Sequence, residues 1–158
     1  MSGFEERFML RAIELARLGM EANQGGPFGS VVVRGGGIIG EGNNEVTSTN
    51  DPTAHAEVVA IRRACKHLGS FDLTGCIIYA SCEPCPMCLA AIYWSRAERI
   101  YIACDRHDAA RAGFDDAYIY EELSAKPSER HVPLEQKLRE EGLAVFEDWI
   151  AKPDKVEY

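Results

Sequence analysis

Asn50-Asp51-Pro52-Thr53-Ala54-His55-Ala56-Glu57 and Ser81-Cys82-Glu83-Pro84-Cys85-Pro86-Met87-Cys88 are the two stretches on which the fold of this chain turns. In the first, Asp51 suits a helix N-cap and Pro52 a first helical position, so a helix is predicted from there to about Leu68, ended by Gly69. Its apolar stripe is Ala54, Val58, Ile61, Cys65 and Leu68. At about 100° per residue, Glu57 falls inside that stripe and His55 near its edge. A carboxylate on a buried face is costly unless some chemistry uses it. In the second stretch a strand over Cys76–Ser81 leads to a helix over Pro86–Arg96, which puts Cys85 and Cys88 at a helix start. Amides there lower thiol pKa values and favour thiolates.

Working outward, apolar Phe4, Phe8, Ala12, Leu15 and Leu18 predict a helix over Phe4–Ala22, stopped by Gly25-Gly26-Pro27. Phe28–Arg34 and Ile38–Val46 read as strands joined at Gly35-Gly36-Gly37. Gly35-x-Gly37-x-x-Gly40 matches a dinucleotide fingerprint in letters, but a strand follows it where a phosphate-binding helix is needed, so a hairpin explains the glycines. Arg99–Ala103 reads as a strand parallel to its predecessor, Arg106–Tyr120 as helical pieces, His131–Lys137 as a final strand and Leu143–Ala151 as a final helix. With no repeat or linker in 158 residues, a single α/β domain over residues 1–158 is expected.

The chemistry follows from the donor set. One imidazole and two thiolates, from His55, Cys85 and Cys88, are ligands that zinc accepts while keeping a fourth position for water. Such a site has a net charge of about zero and acidifies water less than an all-histidine site, so a nearby base is needed. Glu57 is the candidate general acid–base. Cys82-x-x-Cys85-x-x-Cys88 has iron–sulfur spacing without a well-placed fourth cysteine, and Cys82 reads as a strand-end residue.

These motifs, with Gly25-Gly26-Pro27-Phe28-Gly29, Asn43-Asn44, Ala112-Gly113-Phe114-Asp115-Asp116 and terminal Glu157-Tyr158, resemble the cytidine-deaminase-like zinc deaminases and, within them, the branch acting on guanine. The resemblance implies a three-layer α/β/α fold with a mixed five-stranded sheet. It implies hydrolysis of guanine to xanthine and ammonia with one zinc per chain, and guanosine as the alternative substrate. Carried onto this sequence, Asn44 binds the purine edge, Phe28, Trp94, Phe114 and the backbone of Ala56 line the base pocket, and Asp116 joins Glu57 in catalysis. It further implies a domain-swapped homodimer in which residues 152–158 cross over and Tyr158 caps the partner's site.

Composition narrows the rivals. A net charge of −8 disfavours long nucleic acids, and with them a tRNA adenosine deaminase, which shares the zinc motifs but needs basic surface. The run Arg62-Arg63…Lys66-His67 reads as a solvated helix face. A non-enzymatic zinc or iron–sulfur module has no use for Glu57 in an apolar stripe. No apolar run reaches the roughly 18 residues of a membrane span. The acidic start Met1-Ser2-Gly3-Phe4-Glu5-Glu6 is unlike a secretory signal, and six cysteines then read as reduced thiols or ligands, which points to the cytoplasm.

Overall fold

The computed structural model describes residues 3–158, so Met1 and Ser2 of the acidic start lie outside it. The chain divides into two compact units, Met1–Ala117 and Tyr118–Tyr158. The elements run α1 (Glu6–Glu21), β1 (Gly29–Arg34), β2 (Gly37–Asn43), a short α2 (Val46–Thr49), α3 (Ala56–Leu68), β3 (Ile77–Cys82), α4 (Pro86–Trp94), β4 (Arg99–Cys104) and α5 (Arg106–Arg111). After these come α6 (Ala117–Ser124), a 3-10 turn at Pro127–Glu129, and α7 (Arg139–Ala151).

The sheet order is β2-β1-β3-β4, with β1 antiparallel to both β2 and β3, and β3 parallel to β4. The two central strands are buried on both faces, which is why Val31-Val32-Val33 and Ile77-Ile78-Tyr79 read as continuous apolar runs rather than alternating ones. On one face Phe8, Met9 and Ala12 of α1 pack on Val31, Val33, Ile77 and Tyr79. On the other, Ala60 and Ala64 of α3 and Ile92 of α4 pack on Val32 and Ile78. Each large aliphatic side chain so buried stabilises the fold by roughly 1.5–3 kcal/mol. Helix, sheet and helix form three layers.

Three expectations are corrected. The described sheet has four strands, not five: residues 131–137 form no strand and are exposed throughout. Pro133 has no N–H to give a ladder, and the His131 N–H donates to the Glu122 carboxylate at 2.8 Å. Next, α3 begins at Ala56 with His55 as N-cap, not at Asp51. The Asp51 carboxylate instead accepts from the Thr53 N–H at 2.8 Å and the Thr53 hydroxyl at 2.7 Å, closing a local turn ahead of the helix. Finally, the buried stripe of α3 is Ala56, Val59, Ala60 and Ala64 with Glu57 among them, while Ile61, Cys65 and Leu68 pack at its margin. Small residues occupy the centre because the helix lies directly on the sheet. Gly35 and Gly36, at φ +58° and +79°, turn the β1–β2 hairpin, so no helix follows the glycine motif.

Candidate metal centre

Two helix N-termini meet at the site. His55 is the N-cap of α3 and Cys85 the N-cap of α4, with Pro86 in the first turn and Cys88 buried just behind it. Neither N-cap side chain caps its own helix, so both donor atoms remain available to a ligand. The height of α3 is set by Gly42 of β2, where an added Cβ would lie 2.2 Å from the Ala56 carbonyl oxygen. Any side chain at that position would lift His55 and Glu57 off the sheet.

His55 Nδ1 lies 3.5 Å from the Sγ atoms of both Cys85 and Cys88. All three donor atoms are within 4.8 Å of one another. Tetrahedral zinc with ordinary Zn–N and Zn–S bonds requires N···S separations of about 3.5 Å, so the donor set fits that cation. The Cys88 side chain holds the Cys85 thiol down to about 4, and the same contact, with burial, pushes Cys88 up. The Cys85 side chain in turn raises the His55 imidazole. Cys82 stands outside the cluster, with its Sγ donating to the Asp105 carbonyl at 3.4 Å.

Glu57, at 7% exposure, sits in the first turn of α3. Burial raises its carboxyl above the ordinary range, which suits a group that must both take and return a proton. Ala56 is fully buried at the first helical position, where a backbone N–H has no intrahelical acceptor.

Phe28, Phe114 and Asn44 gather around Gly26. Phe28 and Phe114 meet edge-on, with centroids 4.9 Å apart at 86°. Asn44 is buried, and its Oδ1 accepts from the Gly26 N–H at 3.3 Å and the Val46 N–H at 3.1 Å. The oxygen is thus committed to the backbone, and Nδ2 is the donor atom of this amide. An added Cβ at Gly25 would fall 2.1 Å from that oxygen, which accounts for the glycine there. Asp116 is half-buried, and burial first, then the charge of Cys85, raise its carboxyl.

Two further expected site residues are Trp94 and Tyr158. Trp94 ends α4, at the opposite end from Cys85, and is 67% exposed. Tyr158 belongs to the second unit and is 72% exposed. Sequence patterning missed the Glu83–Arg106 ion pair, with Nη2 at 2.7 Å from Oε1, because its partners are too far apart in the chain for any local period to link them.

A buried glutamate beside a His-Cys-Cys donor set, at two helix N-termini on a three-layer α/β/α scaffold, defines a zinc-dependent deaminase. Residues 2–104 match the cytidine and deoxycytidylate deaminase zinc-binding region, and the chain belongs to that family. It is 53% identical over 153 residues to the guanine deaminase of Bacillus subtilis (strain 168), spanning 97% of this chain and 98% of that protein. The X-ray structure of guanine deaminase from Bacillus subtilis superposes with a TM-score of 0.95 at 52% identity, covering 99% of each chain. A tRNA-specific adenosine deaminase from Aquifex aeolicus (strain VF5) is 34% identical over 133 residues, covering 84% of this chain and 87% of its own.

Proposed function

We propose that this protein hydrolyses the exocyclic amine of guanine, releasing xanthine and ammonia, with one zinc per chain held by His55, Cys85 and Cys88. The observation that carries this reading is the extent of the likeness to the Bacillus subtilis guanine deaminase, which runs through both units, against 34% identity to the Aquifex aeolicus tRNA-specific enzyme. When bound, zinc supplies the Lewis acidity that makes a water nucleophilic near neutral pH. With zinc in place, Glu57 would take one proton of the attacking water and deliver it to the ring nitrogen, then carry the second, from the added hydroxyl, to the leaving amine. Asn44 Nδ2 donates to an acceptor on the purine edge, the Ala56 backbone lines the pocket, and Phe28 and Phe114 flank the flat base. Asp116, whose carboxyl burial raises, works at the amine side.

The same reading makes the active form a homodimer in the cytoplasm, with residues 152–158 and Tyr158 closing the partner's site and Trp94 completing an apolar wall. Two observations support a dimer. Helix α4 has no charged residue, yet Tyr93 and Trp94 are exposed. Helix α7 leaves Val145, Phe146 and Ile150 exposed. Free cysteines fit a reducing compartment. The test is ammonia release from guanine, guanosine, adenine and cytidine. Guanine should exceed every other compound by about 100-fold or more in kcat/KM, the scale that pocket fit alone supplies. A preference for guanosine or cytidine overturns the assignment.

A further inference from the structure

We propose that the Glu83–Arg106 pair is a positioning clamp that keeps the Phe114–Asp116 segment in register with the metal ligands. The inference rests on the reading of Asp116 as a group that acts on substrate.

Glu83 stands two residues before the ligand Cys85. Its carboxylate accepts three hydrogen bonds from Arg106: Oε2 from the backbone N–H at 2.9 Å, and Oε1 from Nε at 3.0 Å and Nη2 at 2.7 Å. Arg106 is the first residue of α5, and the same junction is tied by the Glu83 N–H donating to the Cys104 carbonyl at 2.9 Å. Asp105 closes a capping box with Asp108 there. From this anchored end the backbone is hydrogen-bonded to the pocket: the Gly113 N–H returns to Ala110 and the Phe114 N–H to Ala109, each at 3.0 Å. Phe114 then meets Phe28, and a Cβ added at Gly26 would touch its ring at 3.1 Å. Asp116 follows two residues later. The zinc-ligand loop and the base-facing segment are thus parts of one hydrogen-bonded path, in which this pair is the charged side-chain link and Cys82 Sγ, donating to the Asp105 carbonyl, is a weaker one.

The pair is poorly placed to serve stability. The side chains are 39% and 25% exposed, a setting in which ion pairs contribute little. A two-point guanidinium fork supplies direction as much as energy. Its removal therefore affects turnover more than folding.

The test compares Arg106→Ala and Arg106→Lys, alone and with Asp116→Ala, for kcat and KM on guanine, zinc content, thermal midpoint and amide hydrogen exchange. Arg106→Ala should keep its zinc, shift the midpoint by only a few degrees, and lose about 10- to 100-fold in kcat, the scale of a misplaced catalytic group. Arg106→Lys should recover little of that, since an ammonium cannot make the two-point contact. In the Asp116→Ala background the Arg106→Ala loss should shrink to about twofold, the mark of residues acting through one another. Amide exchange over residues 112–116 should quicken in Arg106→Ala whatever the substrate proves to be. Unchanged exchange, an equal loss in both backgrounds, or loss of zinc overturns the clamp. Failure of the wild type on guanine sinks the substrate assignment alone, because the exchange measurement still decides the clamp.

Discussion

The two units of the chain handle apolar side chains in opposite ways. Every buried described residue lies in Met1–Ala117, whose sheet is covered on both faces by α1, α3 and α4. Tyr118–Tyr158 buries none, although Leu123, Val132, Leu134, Leu138, Phe146 and Ile150 are all there. A segment with that much exposed apolar surface and no core of its own is not stable alone. The first unit thus holds the parts that must be rigid, a set of ligand atoms within 4.8 Å of one another. The second has the composition of an element that completes itself against another surface.

The sharpest break of this contrast is at Glu57. Glu57→Gln should keep its fold and its zinc and lose about 10²–10⁴-fold in turnover, the usual contribution of a general acid–base group. Zinc analysis and steady-state assays check it. Near-normal turnover would mean that the first unit does not contain the proton-transfer group.

A smaller but still large effect is expected from the second unit. Deleting residues 153–158 should leave a zinc-loaded first unit and reduce guanine turnover by about tenfold or more, through loss of water exclusion. Mixing that truncated chain with full-length Glu57→Gln sharpens the point. A swapped heterodimer has one site with an intact Glu57 and a borrowed tail, so activity should return. A mixture that stays inactive means that each chain covers its own site.

The smallest effect concerns the ion pairs that brace the first unit. Arg11 Nε meets Glu41 Oε1 at 2.8 Å, and the hydrogen bond from Arg11 holds the Glu41 carboxyl below the usual range. A depressed carboxylate pKa adds stability above its unfolded value, and that stability is lost as pH falls through the folded value. With about a third of each side chain exposed, the contribution at neutral pH is no more than about 1 kcal/mol after solvent screening. Thermal melts of wild type and Glu41→Gln should therefore differ slightly at pH 7 and converge in acid. A gap that widens on acidification would reverse the assignment.

Much of the centre is legible in the sequence, because its signals are local. His55-x-Glu57 and Cys85-x-x-Cys88 each lie within one turn of a helix start, and their chemistry is set by residue type. The pattern places a helix start at Asp51, but Asp and Pro suit a turn as well as a cap, and here they close a turn. The short apolar-polar alternation over residues 131–137 has the pattern of a strand, but a strand needs backbone partners that no local pattern supplies.

The sequence by itself determined the donor types, the main helices and strands of the first unit, and the family to which they belong. Donor chemistry and backbone preference are properties of residues and of near neighbours. Only the tertiary structure decided that Nδ1 is the imidazole atom facing both thiols, that the Asn44 oxygen is already committed, and that Arg106 reaches Glu83. Each of these depends on groups far apart in the chain, brought together by burial of a shared apolar core, and no period in the sequence encodes their distance.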